Sequence, residues 1–184
     1  MPRWPTGPFS THRTGCYGCK RMSSADGGCG VHGYPCTHWG MDLFAGSDRR
    51  VVAPESGVVV AVANGSSPPW SGFEPGVVVI RGASGVFHLL SHLEFSLIRV
   101  GIGLPVSEGT PIGQYDGRIA HTHYEVRRKL TGPSAENTIN PAKWLAEAGG
   151  DGAGGSNLGV LIALGGLLAA GFLLARSNAF ATRP

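Results

Sequence analysis

Apolar positions in this chain fall in short β-branched runs broken by turn residues. Examples are Val51-Val52, Val58-Val59-Val60-Ala61-Val62, Val77-Val78-Val79-Ile80 and Val86-Phe87-His88-Leu89-Leu90. Within RVVAPESGVVVAV a turn is expected around Glu55 to Gly57, and RGASG supplies a hairpin-like break between GVVVI and VFHLLSHL. Runs of this length bounded by Gly, Pro and Ser predict antiparallel strands. The stretch SSPPWSGFEPG carries two prolines and reads as a loop, whose Trp70 and Phe73 either wall a groove or pin the loop to the core. The pattern therefore predicts a mainly β, antiparallel body over residues 37–148, preceded by a cysteine-bearing segment, residues 1–36.

Another pattern takes over toward the C-terminus. Leu158 to Ala175 is uncharged for 18 residues, which as a helix spans roughly 27 Å, near the hydrocarbon thickness of a bilayer. A body this small could hardly enclose such a helix, so a transmembrane helix is predicted over residues 158–175. Residues 149–157, GGDGAGGSN, have the composition of a flexible tether, and residues 176–184 form a short tail. Gly155, Gly159 and Ala163 recur every fourth residue and would admit a second helix closely.

Composition supports the β reading, with 30 Gly, 13 Pro and only 15% charged residues in 184. That length suits one modest core. The net charge is +3, and the 15 Lys and Arg are spread along the chain, which argues against nucleic acid as a partner. Met1 to Gly15 has Arg3 but no apolar run, so it does not read as a secretory signal peptide. Cys16, Cys19, Cys29 and Cys36 lie within 21 positions of a Gly-rich segment and suggest a staple, either two disulfides or a structural zinc.

The chemistry concentrates in two places. His38-Trp39-Gly40-Met41-Asp42 sets an imidazole and a carboxylate four positions apart, on one side of an extended chain, and Gly40 disfavours a helix there. Nitrogen and oxygen donors of this kind suit zinc. In His121-Thr122-His123-Tyr124-Glu125 the strand period points His121, His123 and Glu125 to one face. Between them, His88, Leu90 and His92 share a face of a third strand candidate.

H-x-G-x-D, then a lone His-Leu ending a strand, then H-x-H followed by an aromatic residue and Glu-Val resembles the lysostaphin-like (LytM-type) zinc endopeptidases of peptidoglycan. Val52-Ala53-Pro54 with Gly57-Val58-Val59, the glycine-punctuated GIGLPVSEGTPIG, and the closing Asn140-Pro141-Ala142-Lys143-Trp144-Leu145 are similar to the same family. The likeness runs from Thr37 to Leu145. Two departures stand out: Leu90 replaces the aromatic residue the family often has two before the lone histidine, and the stretch from Gly113 to His121 is short.

The resemblance implies one catalytic zinc held by His38, Asp42 and His123, with His92 and His121 as catalytic histidines and one coordination position left open. His121, beside a ligand, is expected to be the general base, and His92 to stabilise developing negative charge. Glu125 is expected to form a salt bridge to Arg127 or to orient an imidazole, and His88 to be structural. Loss of zinc ligands would instead mark an inactive peptidoglycan-binding or activating module, but all five residues are present. A D-alanyl-D-alanine dipeptidase is disfavoured by the close spacing of His38 and Asp42.

Peptidoglycan is extracytoplasmic, which tilts the cysteines toward disulfides rather than a second zinc. It also raises the question of sidedness for a chain with a C-terminal anchor. Arg176 and Arg183 favour a cytoplasmic C-terminus. The expected partners are peptidoglycan, a lipid membrane and other virion proteins. The expected setting is a bacteriophage virion or viral membrane, with a bacterial inner membrane facing the wall as the alternative.

Overall fold

The computed structural model describes residues 2–11, 15–24, 35–66 and 68–148. In chain order the strands are β1 (Lys20–Arg21), β2 (Cys36–Thr37), β3 (Met41–Leu43), β4 (Arg50–Val52), β5 (Gly57–Ala63), β6 (Val77–Gly82), β7 (Phe87–Ser91), β8 (Pro105–Val106), β9 (Pro111–Gln114), β10 (Thr122–Arg127) and β11 (Thr138–Ile139), followed by the helix α1 (Pro141–Glu147). Seven strands form an antiparallel sheet in the order β11-β10-β7-β6-β5-β8, and β3 pairs with β10 on the same edge as β11. The predicted hairpin across RGASG is β6–β7, with Val77 opposite Ser91 and Arg81 opposite Phe87.

Strand alternation gives this sheet two apolar faces. Val59, Val78, Ile80, Leu90, Tyr124 and Val126 pack with Val51, Ile112 and Tyr115 of the β4–β9 region and with Trp144 and Leu145 of α1. Asn140 caps that helix, its side-chain oxygen accepting from the Ala142 N–H, and Pro141 follows in the first turn. On the opposite face Ala61, Val77, Val79 and Leu89 lie under Trp70 and Phe73, so the loop containing SSPPWSGFEPG is fastened by its aromatics.

The turn after β4 falls where the sequence places it, but β4 and β5 are not partners. β4 pairs with β9, whereas β5 pairs with β6 and β8. Glu55 sits at the turn between the two strands. Its carboxylate accepts from the Ser84 backbone N–H at 2.6 Å and from Ser84 Oγ at 2.9 Å, and lies 2.8 Å from His88 Nε2, which draws the turn over the β6–β7 end. Gly82 makes room, since a Cβ there would meet the Glu55 carboxylate at 2.1 Å.

The chain ahead of Thr37 packs against the body. Trp4 and Phe9 join the larger core with ring centroids 4.7 Å apart, the Val52 N–H donates to the Pro5 carbonyl, and Ser10 and Phe44 exchange backbone bonds. Cys16 and Cys19 form a disulfide and Cys36 is disulfide-bonded as well, in line with the favoured reading of the staple. The Gly-rich tether, the predicted span 158–175 and the tail lie outside the described residues. Among the described residues no helix is long and apolar enough to cross a membrane.

Candidate active site

Antiparallel pairing places His123 of β10 directly opposite Asp42 of β3, and the chain leaving β2 brings His38 beside both. His38 Nε2 lies 2.9 Å from His123 Nδ1 and 3.2 Å from Asp42 Oδ1, and His123 Nδ1 lies 2.9 Å from Asp42 Oδ1. Three donor atoms thus form a small triangle. In a tetrahedral zinc site with bonds of about 2.0–2.2 Å, neighbouring ligand atoms stand roughly 3.3–3.6 Å apart. The cluster fits such an ion with only slight opening, and all three side chains are buried. Gly40 is part of the fit, because a Cβ there would meet the His123 ring at 2.6 Å and the Tyr124 carbonyl at 2.7 Å.

Each of these groups is oriented from behind. His38 Nδ1 donates to the Cys16 carbonyl at 3.1 Å, turning Nε2 toward the cluster. His123 Nε2 donates to Glu125 Oε1 at 2.8 Å, while Glu125 Oε2 accepts from Arg127 Nε at 2.6 Å. Glu125 therefore does both things expected of it, orienting an imidazole and pairing with Arg127. Asp42 turns its other oxygen to Arg21 Nη2 at 2.5 Å.

The protonation balance follows these contacts. Burial works to lower the His123 pKa, but bonds to Asp42 and Glu125 outweigh it and raise it to about 9. Burial works to raise the Asp42 pKa, yet bonds to His123 and His38 hold it well below the usual range. Burial lowers His38, and for Glu125 the bond and charge of His123 overcome burial to lower it too.

His92 and His121 stand beside this cluster, with ring centroids 5.0 Å apart. Each carries its Nδ1 proton to a backbone carbonyl: His92 to Glu74 at 2.6 Å and His121 to Ile119 at 3.0 Å. Both therefore present Nε2 as a lone pair. His121 Nε2 is 3.5 Å from Asp42 Oδ1. Burial, reinforced by the charge of His123, lowers the His92 pKa to about 4, and burial also lowers His121.

His88 and His92 do not share a face. β7 ends at Ser91, and His92 has a positive φ of 60°, which swings its ring out of the strand's alternation. His88 points into the larger core, its Nε2 on Glu55 and its Nδ1 3.0 Å from the Tyr124 hydroxyl. Its structural role stands, on the opposite side of the sheet from the site.

The five predicted site residues, His38, Asp42, His92, His121 and His123, line a cleft of about 770 Å³ whose lining also includes Trp39, Pro68, Pro69 and Phe73. Phe73 also packs 5.7 Å from the His123 ring, so this aromatic both pins its loop and walls the groove, while Trp70 only packs beneath. Sequence reasoning missed Arg21 and the carbonyls of Cys16 and Glu74. A carbonyl is present at every position and leaves no mark, and Arg21 is separated from His38 by 17 positions.

Residues 36–141 match peptidase family M23. No curated protein matches the chain. Among solved structures it resembles cbpa from L. salivarius REN, with 20% identity and a TM-score of 0.58 over 80% of this chain and 95% of that one. Lysostaphin in solution is 22% identical, with a TM-score of 0.51 over 83% of this chain and 61% of that one. Csd3 of Helicobacter pylori is 20% identical, with a TM-score of 0.50 over 76% of this chain and 34% of that one. At these identities the likeness is one of fold.

Proposed function

The chain belongs to peptidase family M23, and from that premise we propose that it is a zinc-dependent endopeptidase hydrolysing cross-links or stem peptides of bacterial peptidoglycan. The observation that carries this reading is the buried triangle of His38 Nε2, Asp42 Oδ1 and His123 Nδ1 at the floor of an open cleft, with His92 and His121 beside it. Membrane attachment through residues 158–175 rests on their uncharged run. A phage virion that enters or lyses its host would set such an anchor beside the wall; both readings come from sequence alone.

His38, Asp42 and His123 would hold the ion, which when bound supplies a Lewis acid that acidifies water and polarises a carbonyl. The chain's own residues handle the protons. His121, neutral at pH 7 with its proton on Nδ1, takes a proton from the attacking water through Nε2. His92 can donate from Nε2 only after taking up a proton, because its Nδ1–H is committed to Glu74. That order assigns His121 as base, whose newly gained Nε2 proton passes to the leaving amine, and His92 as the group that stabilises negative charge once it is protonated. Trp39, Phe73 and the two prolines line the cleft in which an extended peptide would lie.

Purified sacculi incubated with the zinc-loaded protein should release muropeptides identifiable by mass, and His123→Ala should release none. Binding to sacculi without release would favour the inactive module instead.

A further inference from the structure

Only one oxygen of Asp42 faces the histidines. The other is taken by Arg21, whose Nη2 lies 2.5 Å from Asp42 Oδ2, with both side chains about nine-tenths buried. Arg21 reaches this position from the N-terminal segment. It sits on β1, paired with β2 so that Arg21 opposes Cys36, two residues ahead of His38. The loop before β1 is closed by the Cys16–Cys19 disulfide and exchanges backbone bonds with His38: the Gly18 N–H donates to the His38 carbonyl at 2.7 Å, and the His38 N–H to the Cys19 carbonyl at 2.9 Å. The Asp42 N–H donates to the Gly15 carbonyl at 2.8 Å. The ligand-bearing chain and the arginine are thereby one hydrogen-bonded unit.

A carboxylate can give zinc one oxygen or two, and the second would occupy the position a catalytic zinc keeps open. A charge-assisted bond from a guanidinium holds one oxygen back and fixes the plane of the other.

We propose that Arg21 is a positioning residue of the metal centre, holding Asp42 as a single-oxygen ligand so that the fourth position stays available to water. It makes the cysteine-bearing segment part of the active site. The inference rests on the zinc reading above.

The test uses the full chain carrying Arg21→Met or Arg21→Lys, with folding checked by circular dichroism. Chelator competition should show zinc bound roughly 10- to 100-fold more weakly by Arg21→Met, with partial recovery in Arg21→Lys. At saturating zinc, kcat should fall while KM stays near wild type, and X-ray absorption at the zinc edge should show an added oxygen neighbour. If Arg21→Met does not fold, Arg21→Gln is read on the same measurements. A folded variant with zinc affinity, kcat and edge spectrum all like wild type overturns the proposal. Failure of the wild type itself to bind zinc is a distinct result and overturns the zinc reading along with it.

Discussion

Glu125 stands two residues beyond His123 on the same face of β10 and accepts its Nε2–H at 2.8 Å, so the tautomer that presents Nδ1 to a metal is set within a single strand. Glu125 is buried and shares its charge with Arg127. Replacing it with Gln keeps the shape but removes the charge that makes His123 a better donor. Zinc should then bind about 10-fold or more weakly. Glu125→Ala takes the carboxylate from buried Arg127, leaving it the Thr131 carbonyl and the Phe73 ring, and should cost about 3–5 kcal/mol in stability. Chelator competition and urea unfolding measure the two effects, and an unchanged zinc affinity in Glu125→Gln would remove its orienting role.

The proton on His123 makes zinc binding depend on pH in a definite direction. Its pKa of about 9 lies above the ordinary 6.5. With zinc removed, that proton stabilises the fold fully below about pH 6.5, and the stabilisation is lost as pH rises through 9. His92, near 4, and the lowered His38 and His121 are neutral across this window. Zinc must displace the His123 proton, so apparent affinity should rise about tenfold per pH unit from 7 to 9 and then level. A flat profile in chelator titrations at pH 7, 8 and 9 would mean that another group is displaced.

Gly40 tests the close approach of β3 to β10. An alanine methyl would enter the space of the His123 ring and the Tyr124 carbonyl, and the carbonyl cannot yield without disturbing the sheet. Gly40→Ala should cost about 1–3 kcal/mol by overpacking and weaken zinc binding by moving His123. A variant with the melting temperature and zinc content of wild type would contradict the packing described for this turn.

His92 and His121 touch the cleft without belonging to the donor triangle. His92→Ala and His121→Ala should each keep zinc at near wild-type affinity while lowering kcat on peptidoglycan by about 10²–10⁴. Retained cleavage in His92→Ala with zinc still bound would confine proton transfer to His121.

Much of this site was legible in the chain. H-x-G-x-D and H-x-H carry their side chains on neighbouring strands, where the two-residue period and antiparallel pairing bring His123 opposite Asp42. Periodicity failed at His92, because a single residue with φ of 60° leaves the strand and exchanges one face for the other. It also could not say that β4 passes to β9, since that pairing sets Arg50 opposite Gln114, far along the chain. Backbone acceptors such as the Cys16 carbonyl have no sequence signature, although the cysteines on either side of that loop point to a rigid segment.

That segment yields the last prediction. A fragment of residues 37–148 contains every residue with an assigned chemical role, yet it lacks the Cys16 carbonyl behind His38, Arg21 behind Asp42, and Trp4 and Phe9 from the larger core. A fully buried side chain of this kind is worth about 1.5–3 kcal/mol, and Trp4 and Phe9 are half-buried, so losing both should cost on the order of 2 kcal/mol. The fragment should melt well below the full chain and bind zinc at least about tenfold more weakly. Calorimetry and chelator competition on the two proteins decide it. Equal zinc affinity would show that His38 and Asp42 hold their geometry without the chain that precedes them, and the structural role assigned to residues 2–11 and 15–24 would fall.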